Sequence, residues 1–229
     1  HKKMGINDRL LLQDAFNLNS LSGLVRFVKK VVIGTLVIEG IGALLYMTVF
    51  IPDFGPKGIW ISIFTSISAF CNAGIDIIAE NSLCDYALNP MVNIVTCLLI
   101  VIGGIGYIVW WDIIRVIKNI RQNKRKIFEN LTLHSKIAII STLLLIIVGA
   151  ILVFVLEYDN PQTLKDYTLL QKIEVSFFQS VTTRTAGFAT LPQENLTNAT
   201  AVVCLLLMFI GGSPVGTAGG IKTVTFAVI

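Results

Sequence analysis

Apolar residues in this chain run in long, nearly unbroken stretches rather than in the period-2 or period-3.6 pattern of half-buried elements. Val31–Ile51, Met91–Ile114 and Ile137–Leu156 are each close to the ~20 residues that carry a helix across ~30 Å of hydrocarbon. A fourth stretch starts near Thr200 and stays apolar to Ile210, where Gly211-Gly212-Ser213-Pro214-Val215-Gly216-Thr217-Ala218-Gly219-Gly220 interrupts it. Two semi-polar pieces, Ile59–Phe70 and Ile173–Thr183, lie between the long ones. A helix of about a dozen residues is only ~18 Å long. Each piece therefore suits a re-entrant or interfacial segment, or a small soluble helix.

Charge settles the choice between those settings and orients the chain. Of its 229 residues 54% are hydrophobic and 14% charged, against about 25% charged in soluble domains, so the bilayer is the main solvent. Arg26, Lys29 and Lys30 precede the first long stretch. Arg115, Lys118, Arg121, Lys124, Arg125 and Lys126 follow the second, and Lys136 opens the third. The opposite loops hold Asp53, Asp76, Glu80 and Asp85, and then Asp159, Asp166, Glu174 and Glu194. The positive-inside rule puts the basic segments in the cytoplasm and the half-length pieces on the outer side of a plasma membrane. Flanking spans make the 115–126 run a juxtamembrane loop, and we expect no nucleic acid partner. Cys71, Cys84, Cys97 and Cys204 lack metal-ligand spacing and read as free thiols. His1 and His134 have no metal-type partners, and no nucleophile–base set occurs at a usable spacing. We expect neither an enzyme nor a bound metal beyond a transported ion.

The short pieces match each other. Phe64-Thr-Ser-Ile-Ser-Ala-Phe-Cys-Asn-Ala-Gly74 pairs with Phe178-Gln-Ser-Val-Thr-Thr-Arg-Thr-Ala-Gly187 once one residue is dropped. Glu80-Asn81 echoes Glu194-Asn195, and Leu98–Gly104 echoes Leu206–Gly212. Self-similarity at a period of about 110 residues means two copies of one unit. The unit reads as span, half-helix, Gly-containing loop, span.

Such a unit suits a cation. Unpaired carbonyls cannot face lipid, and at membrane depth they are tolerated only within protein or along a watery cavity. A half-helix that ends at mid-membrane presents its partly negative C-terminal end there. The next loop can aim carbonyls inward if Gly74 and Gly187 supply unusual backbone angles. Rings of carbonyls replace the water shell of a potassium ion. Neither Asn72-Ala73-Gly74 nor Thr185-Ala186-Gly187 carries a carboxylate, so carbonyls rather than an acidic ring would bind the ion.

Ser68-Ala69-Phe70-Cys71-Asn72-Ala73-Gly74 and Thr182-Thr183-Arg184-Thr185-Ala186-Gly187-Phe188 resemble the second and third filter loops of the Trk/Ktr/HKT superfamily of potassium transporters. Gly211-Gly212-Ser213-Pro214 through Thr217-Ala218-Gly219-Gly220-Ile221-Lys222-Thr223 resembles the interrupted helix of that family's third repeat. The segment from Met4-Gly5-Ile6-Asn7 to Leu21-Ser22-Gly23 is most similar to the bacterial KtrB branch. Cys71 stands where Asn or Ser is usual.

The resemblance implies an all-α membrane protein of tandem membrane–pore–membrane repeats around a central pore, of which this chain holds repeats two and three. Residues 1–25 would be a cytoplasmic linker or interfacial segment. Residues 26–126 would be one repeat, with spans at ~28–51 and ~89–118 and a re-entrant piece at 57–76. Residues 127–229 would be the next, with spans at ~133–157 and ~197–229, a re-entrant piece at 171–190 and a broken helix at 211–220. Filter residues would be Cys71, Asn72, Ala73, Gly74, Arg184, Thr185, Ala186 and Gly187, and an intramembrane gate would run from Gly211 to Gly220 with Lys222. It further implies potassium as the transported ion, with sodium coupling left open. The partners it implies are membrane lipid, a second copy of the chain and a cytosolic nucleotide-binding regulatory ring.

Four features keep alternatives. Gly216–Thr223 would be a phosphate-binding P-loop only with Gly at position 221, where Ile221 stands. The 211–220 stretch is either the gate or a passive kink. Arg184 either turns from the axis and braces the loop by donating to carbonyls or a carboxylate, or faces the ion path near the outer mouth. Glu39, mid-span, is a cation site, a hydrogen-bonded structural carboxyl, or a group awaiting another repeat.

Overall fold

The computed structural model describes residues 24–79, 81–119 and 126–228. The linker at 1–25 therefore lies almost wholly outside the described residues, as do Glu80, Arg121, Lys124 and Arg125. Among those described, the chain is helical, and the only extended pairing is an isolated bridge between Ile210 and Ile221.

The first long apolar stretch forms α1, Leu24–Phe54. Gly55 at φ 59° ends it, donating to Ile51 O, and the chain reverses into the half-length α2, Lys57–Phe70. A connection that includes a 3-10 turn at Cys84–Tyr86 leads to α3, Pro90–Gly104, which opens on Pro90 with the Asn89 side chain accepting from Met91 and Val92 N–H. Proline at the first helical position loses nothing, because that N–H has no helical partner. A 97° bend then separates α3 from α4, Tyr107–Lys118. The second unit repeats the order with α5, Leu133–Glu157, α6, Leu169–Thr182, and α7, Asn198–Phe209, followed by a glycine-rich loop and the short α8, Thr223–Val228. α1 and α5 are long and apolar enough to cross a membrane, as is the bent α3–α4 pair taken as one span. Their outward faces keep Leu36, Leu44, Leu144 and Val155 more than half exposed, which suits lipid rather than water.

The two units are built on the same interlock. Ser66 Oγ donates to Glu39 O at 2.7 Å, and Ser180 Oγ donates to Ile146 O at 2.7 Å. Beside these bonds a Cβ on Gly42 would lie 2.8 Å from Leu99 Cδ1, and one on Gly149 would lie 2.8 Å from Leu207 Cδ1. In each unit a bare glycine thus lets the half-helix and the second span close on the first. Aromatic packing fills the first unit: Tyr46 stacks on Phe50 at 5.4 Å, and Phe70 meets Trp110 edge-on at 5.6 Å. Thr96 Oγ1 already donates to Val92 O, so the buried Tyr46 hydroxyl donates to Thr96 at 2.6 Å.

Two carboxylates pin the ends. Asp112 accepts from Thr132 N–H and Oγ1 at 2.8 and 2.9 Å, fixing the start of α5. The fully buried Glu157 accepts from Thr197 N–H and Oγ1 at 2.8 and 2.9 Å, and from Asn160 and Thr163, fixing the start of α7. Negative charge at a helix N-terminus is favourable, and four donors satisfy Glu157 where water does not reach.

Candidate functional site

Both half-helices end beside each other in loops of the same backbone form. After α2, Asn72 is left-handed at φ 51° and Gly74 at φ 63°; after α6, Thr185 is left-handed at φ 67° and Gly187 at φ 94°. Ala73 and Ala186 between them are not left-handed. Alternating handedness of this kind can turn successive carbonyls toward one side. The exits match too: Ser68 Oγ donates to Ile75 O at 2.5 Å, and Thr182 Oγ1 donates to Phe188 O at 2.6 Å. The one-residue difference in reach is the residue dropped in the sequence match.

The loops meet at their glycines. A Cβ on Gly74 would lie 2.7 Å from Gly187 Cα and on top of Ala186 O, and one on Gly187 would lie 3.4 Å from Gly74 Cα. Asn72 and Thr185 are not glycines, and a left-handed L residue costs roughly 1–2 kcal/mol. Thr217 Oγ1 lies 2.9 Å from Asn72 Oδ1 and donates to Phe70 O at 2.8 Å, while Thr185 Oγ1 accepts from Gly219 N–H at 2.9 Å. The 211–220 loop therefore sits against both of these loops and helps hold their left-handed residues.

That loop has partners on every side. Ser213 N–H and Thr217 N–H donate to Gly104 O and Gly103 O at 2.9 and 3.1 Å, and Tyr107 N–H donates to Val215 O at 2.9 Å. Lys222 Nζ donates to Ala218 O at 2.7 Å, and Ser213 Oγ meets Thr223 Oγ1 at 2.9 Å. The loop also sets the bend at Gly106, since a Cβ there would fall on Pro214 O. Where Asn72, Arg184, Gly212 and Ala218 meet, the enclosed space is about 10 Å³, room for no more than one water.

Arg184 is 6% exposed and turns from the loop into the protein, donating to Thr142 O at 3.1 Å and to Gly211 O at 2.9 Å. It joins the loop after α6, α5 and the start of the glycine-rich loop. Among the described residues it forms no salt bridge with a carboxylate. Cys71, at the matching position of the first loop, is exposed, and its Sγ lies 3.9 Å from Glu39 Oε1. Thr217 lay in the stretch expected to be the gate, whereas Ser66, Ser180 and Thr142 were not singled out by the sequence. Ser66 and Ser180 lay in the quoted repeat, and their shared register was the available signal; Thr142 carried none.

On the side where the half-helices enter, Asp76, Ser82, Cys84, Gln193 and Glu194 line an open pocket of about 220 Å³. Burial there, with Asp85, Glu194 and Asp76 close by, pushes the Cys84 thiol above its ordinary range. No group of three or more His, Cys, Asp or Glu among the described residues is placed to hold a metal ion.

The family described as TrkH, cation transport protein, matches residues 3–229. The chain is 38% identical over 229 residues to the potassium/sodium uptake protein NtpJ of Enterococcus hirae, covering all of this chain and 48% of that protein. It is 39% identical over 229 residues to the Ktr system potassium uptake protein B of Bacillus subtilis, again over its whole length and 49% of that protein. The chain thus spans about half the length of the curated relatives it matches. Its fold superposes on the crystal structure of the potassium transporter TrkH from Vibrio parahaemolyticus with a TM-score of 0.69. That match covers 96% of this chain and 43% of the other at 15% identity, and so bears on the fold alone. With the match running over nearly every residue and the helical membrane fold in agreement, this chain belongs to the TrkH cation transport protein family.

Proposed function

We propose that the chain supplies two of the loops of a potassium filter in an uptake protein of the plasma membrane. Asn72–Gly74 and Thr185–Gly187 contribute the carbonyls, Arg184 braces the second loop from behind, and 211–220 with Lys222 is the gate. The observation that carries this reading is the shared left-handed, Ala, left-handed Gly backbone of two abutting loops. The side chain changes between Asn72 and Thr185 while the backbone form is kept, as carbonyl coordination requires.

The pinned loop beneath the filter supports a closed gate. The relatives are named for potassium or potassium/sodium uptake, so potassium is the ion, with sodium either coupled or carried. In the orientation we propose, Lys30, Lys118, Lys126 and Lys136 face the cytoplasm. The complete protein works as a homodimer with a cytosolic nucleotide-binding ring. The test is potassium uptake by the complete protein in cells lacking their own transporters. Potassium-dependent growth and saturable uptake are expected, and their absence at confirmed membrane expression would overturn the reading.

A further inference from the structure

At the end of α1 remote from the filter loops, α1 and α4 enclose an open groove of about 600 Å³. Its lining has two characters: Lys30, Arg115 and Lys118 supply charge, while Phe27, Trp111 and Ile114 supply an apolar wall. The 97° bend swings α4 away from the line of α3. α4 buries Val109, Asp112 and Val116 and leaves Ile114, Arg115, Ile117 and Lys118 exposed on the other side. A short two-faced helix with tryptophan and basic residues, set at the end of membrane spans, suits the interface between headgroups and acyl chains.

The charges are not all satisfied within the protein. Arg115 is held by Asp112 at 2.6 Å. Lys30 and Lys118 have no salt bridge to a carboxylate among the described residues, and Lys30 Nζ sits 5.7 Å over the Trp111 ring. From the groove the surface continues along α1 through Val32, Ile33 and Leu36, each more than half exposed. A ligand that fits must offer an anion to two ammonium groups and apolar chains to the wall beyond.

We propose that this groove is a binding site for an anionic phospholipid. The phosphate lies between Lys30 and Lys118, and an acyl chain lies on Trp111, Ile114 and the exposed side of α1. A zwitterionic headgroup would bring its own cation toward the lysines and lose much of the attraction. An acidic protein segment would satisfy the charges but leave the apolar wall uncovered at the level of the lipid. Basic pockets between helices at the cytoplasmic leaflet are the general setting for such recognition. The site rests on the proposed orientation only for which leaflet supplies the lipid.

The test uses the complete transporter in vesicles of identical composition in both leaflets, so that neither orientation nor transport enters the readout. Tryptophan quenching by brominated phosphatidylglycerol in a phosphatidylcholine background is compared with the reverse labelling at equal mole fraction. The part due to Trp111 is the difference from Trp111→Phe. We expect the anionic lipid to quench Trp111 at least twofold more than the zwitterionic one, with the excess shrinking as salt rises from ~0.1 M to ~1 M. Lys30→Gln with Lys118→Gln should bring the ratio to one, each single change part of the way, and Lys30→Arg with Lys118→Arg should keep it. A ratio of one in the unmodified protein, or an unchanged ratio in the single and double Gln variants, would overturn the site. Loss of a cytosolic protein partner in those variants with the lipid ratio intact would assign the groove to that protein instead.

Discussion

Gly42 and Gly149 hold the same place in the two units, and each is closed in by a serine of the half-helix and a leucine of the second span. Gly40, two residues from Gly42, has nothing within 4 Å of where a Cβ would stand. Alanine at 42 or 149 overpacks the interlock, at a cost of about 1–3 kcal/mol. Alanine at 40 should be neutral, or stabilising by up to ~1 kcal/mol through helix propensity. Thermal unfolding of the complete protein in detergent should rank Gly42→Ala and Gly149→Ala below the parent and Gly40→Ala level with it. Equal melting of all three would deny the interlock. The same register clarifies Glu39. Its carbonyl takes the bond that Ile146 takes in the second unit, where the Ile146 side chain is sealed between the two units. Glu39 occupies the matching place on the open side of the first unit, beside Cys71. The pairing of Gly74 with Gly187 was legible as a repeat, but the left-handed Thr185 was not. A β-branched residue rarely adopts that conformation, and only the distant Gly219 N–H explains it.

At the scale of elements, the spans and half-helices were legible because length and apolarity alone decide whether a helix can cross a bilayer. The break after α3 was not. Residues 91–114 are mostly apolar, and the chain turns at Gly106 because the 211–220 loop takes its neighbours' hydrogen bonds. That loop looks polar and mobile in sequence, yet Gly103, Gly104, Phe70 and Thr185 all hold it. In the gating we propose, these bonds break together, and each is worth about 0.5–1.5 kcal/mol net. Deleting Ser213–Ala218 removes most of them along with the obstruction, so flux through the complete protein should rise and regulation by a cytosolic partner should weaken. Lys222→Gln, which loses the bond to Ala218 O, should act in the same direction and more weakly. A correctly inserted deletion with parental flux and regulation would leave only a kinked helix.

Across the whole molecule, the basic and acidic ends were readable from charge, and sidedness is open to direct test. Cys84 lies in the pocket lined by Asp76 and Glu194, and Lys126 at the basic end. A membrane-impermeant thiol reagent applied outside intact cells should reach Cys84 and Lys57→Cys but not Lys126→Cys. Because the Cys84 thiol is raised, less of it is thiolate at a given pH. Cys84 should therefore react more slowly than Lys57→Cys at pH 8, and keep gaining rate as pH rises through 9, where the other levels off. Labelling at position 126 from outside would invert the topology.

Gly187→Ser in the complete protein tests most directly whether the two abutting backbone loops bind potassium, as we propose. A side chain at φ 94°, with Gly74 Cα 3.4 Å from its Cβ, disfavours the loop by roughly 1–2 kcal/mol. Potassium uptake measured against competing sodium should then show potassium affinity lower by about tenfold and sodium newly able to inhibit or to pass. Unchanged potassium affinity and unchanged sodium inhibition, at parental expression, would contradict it.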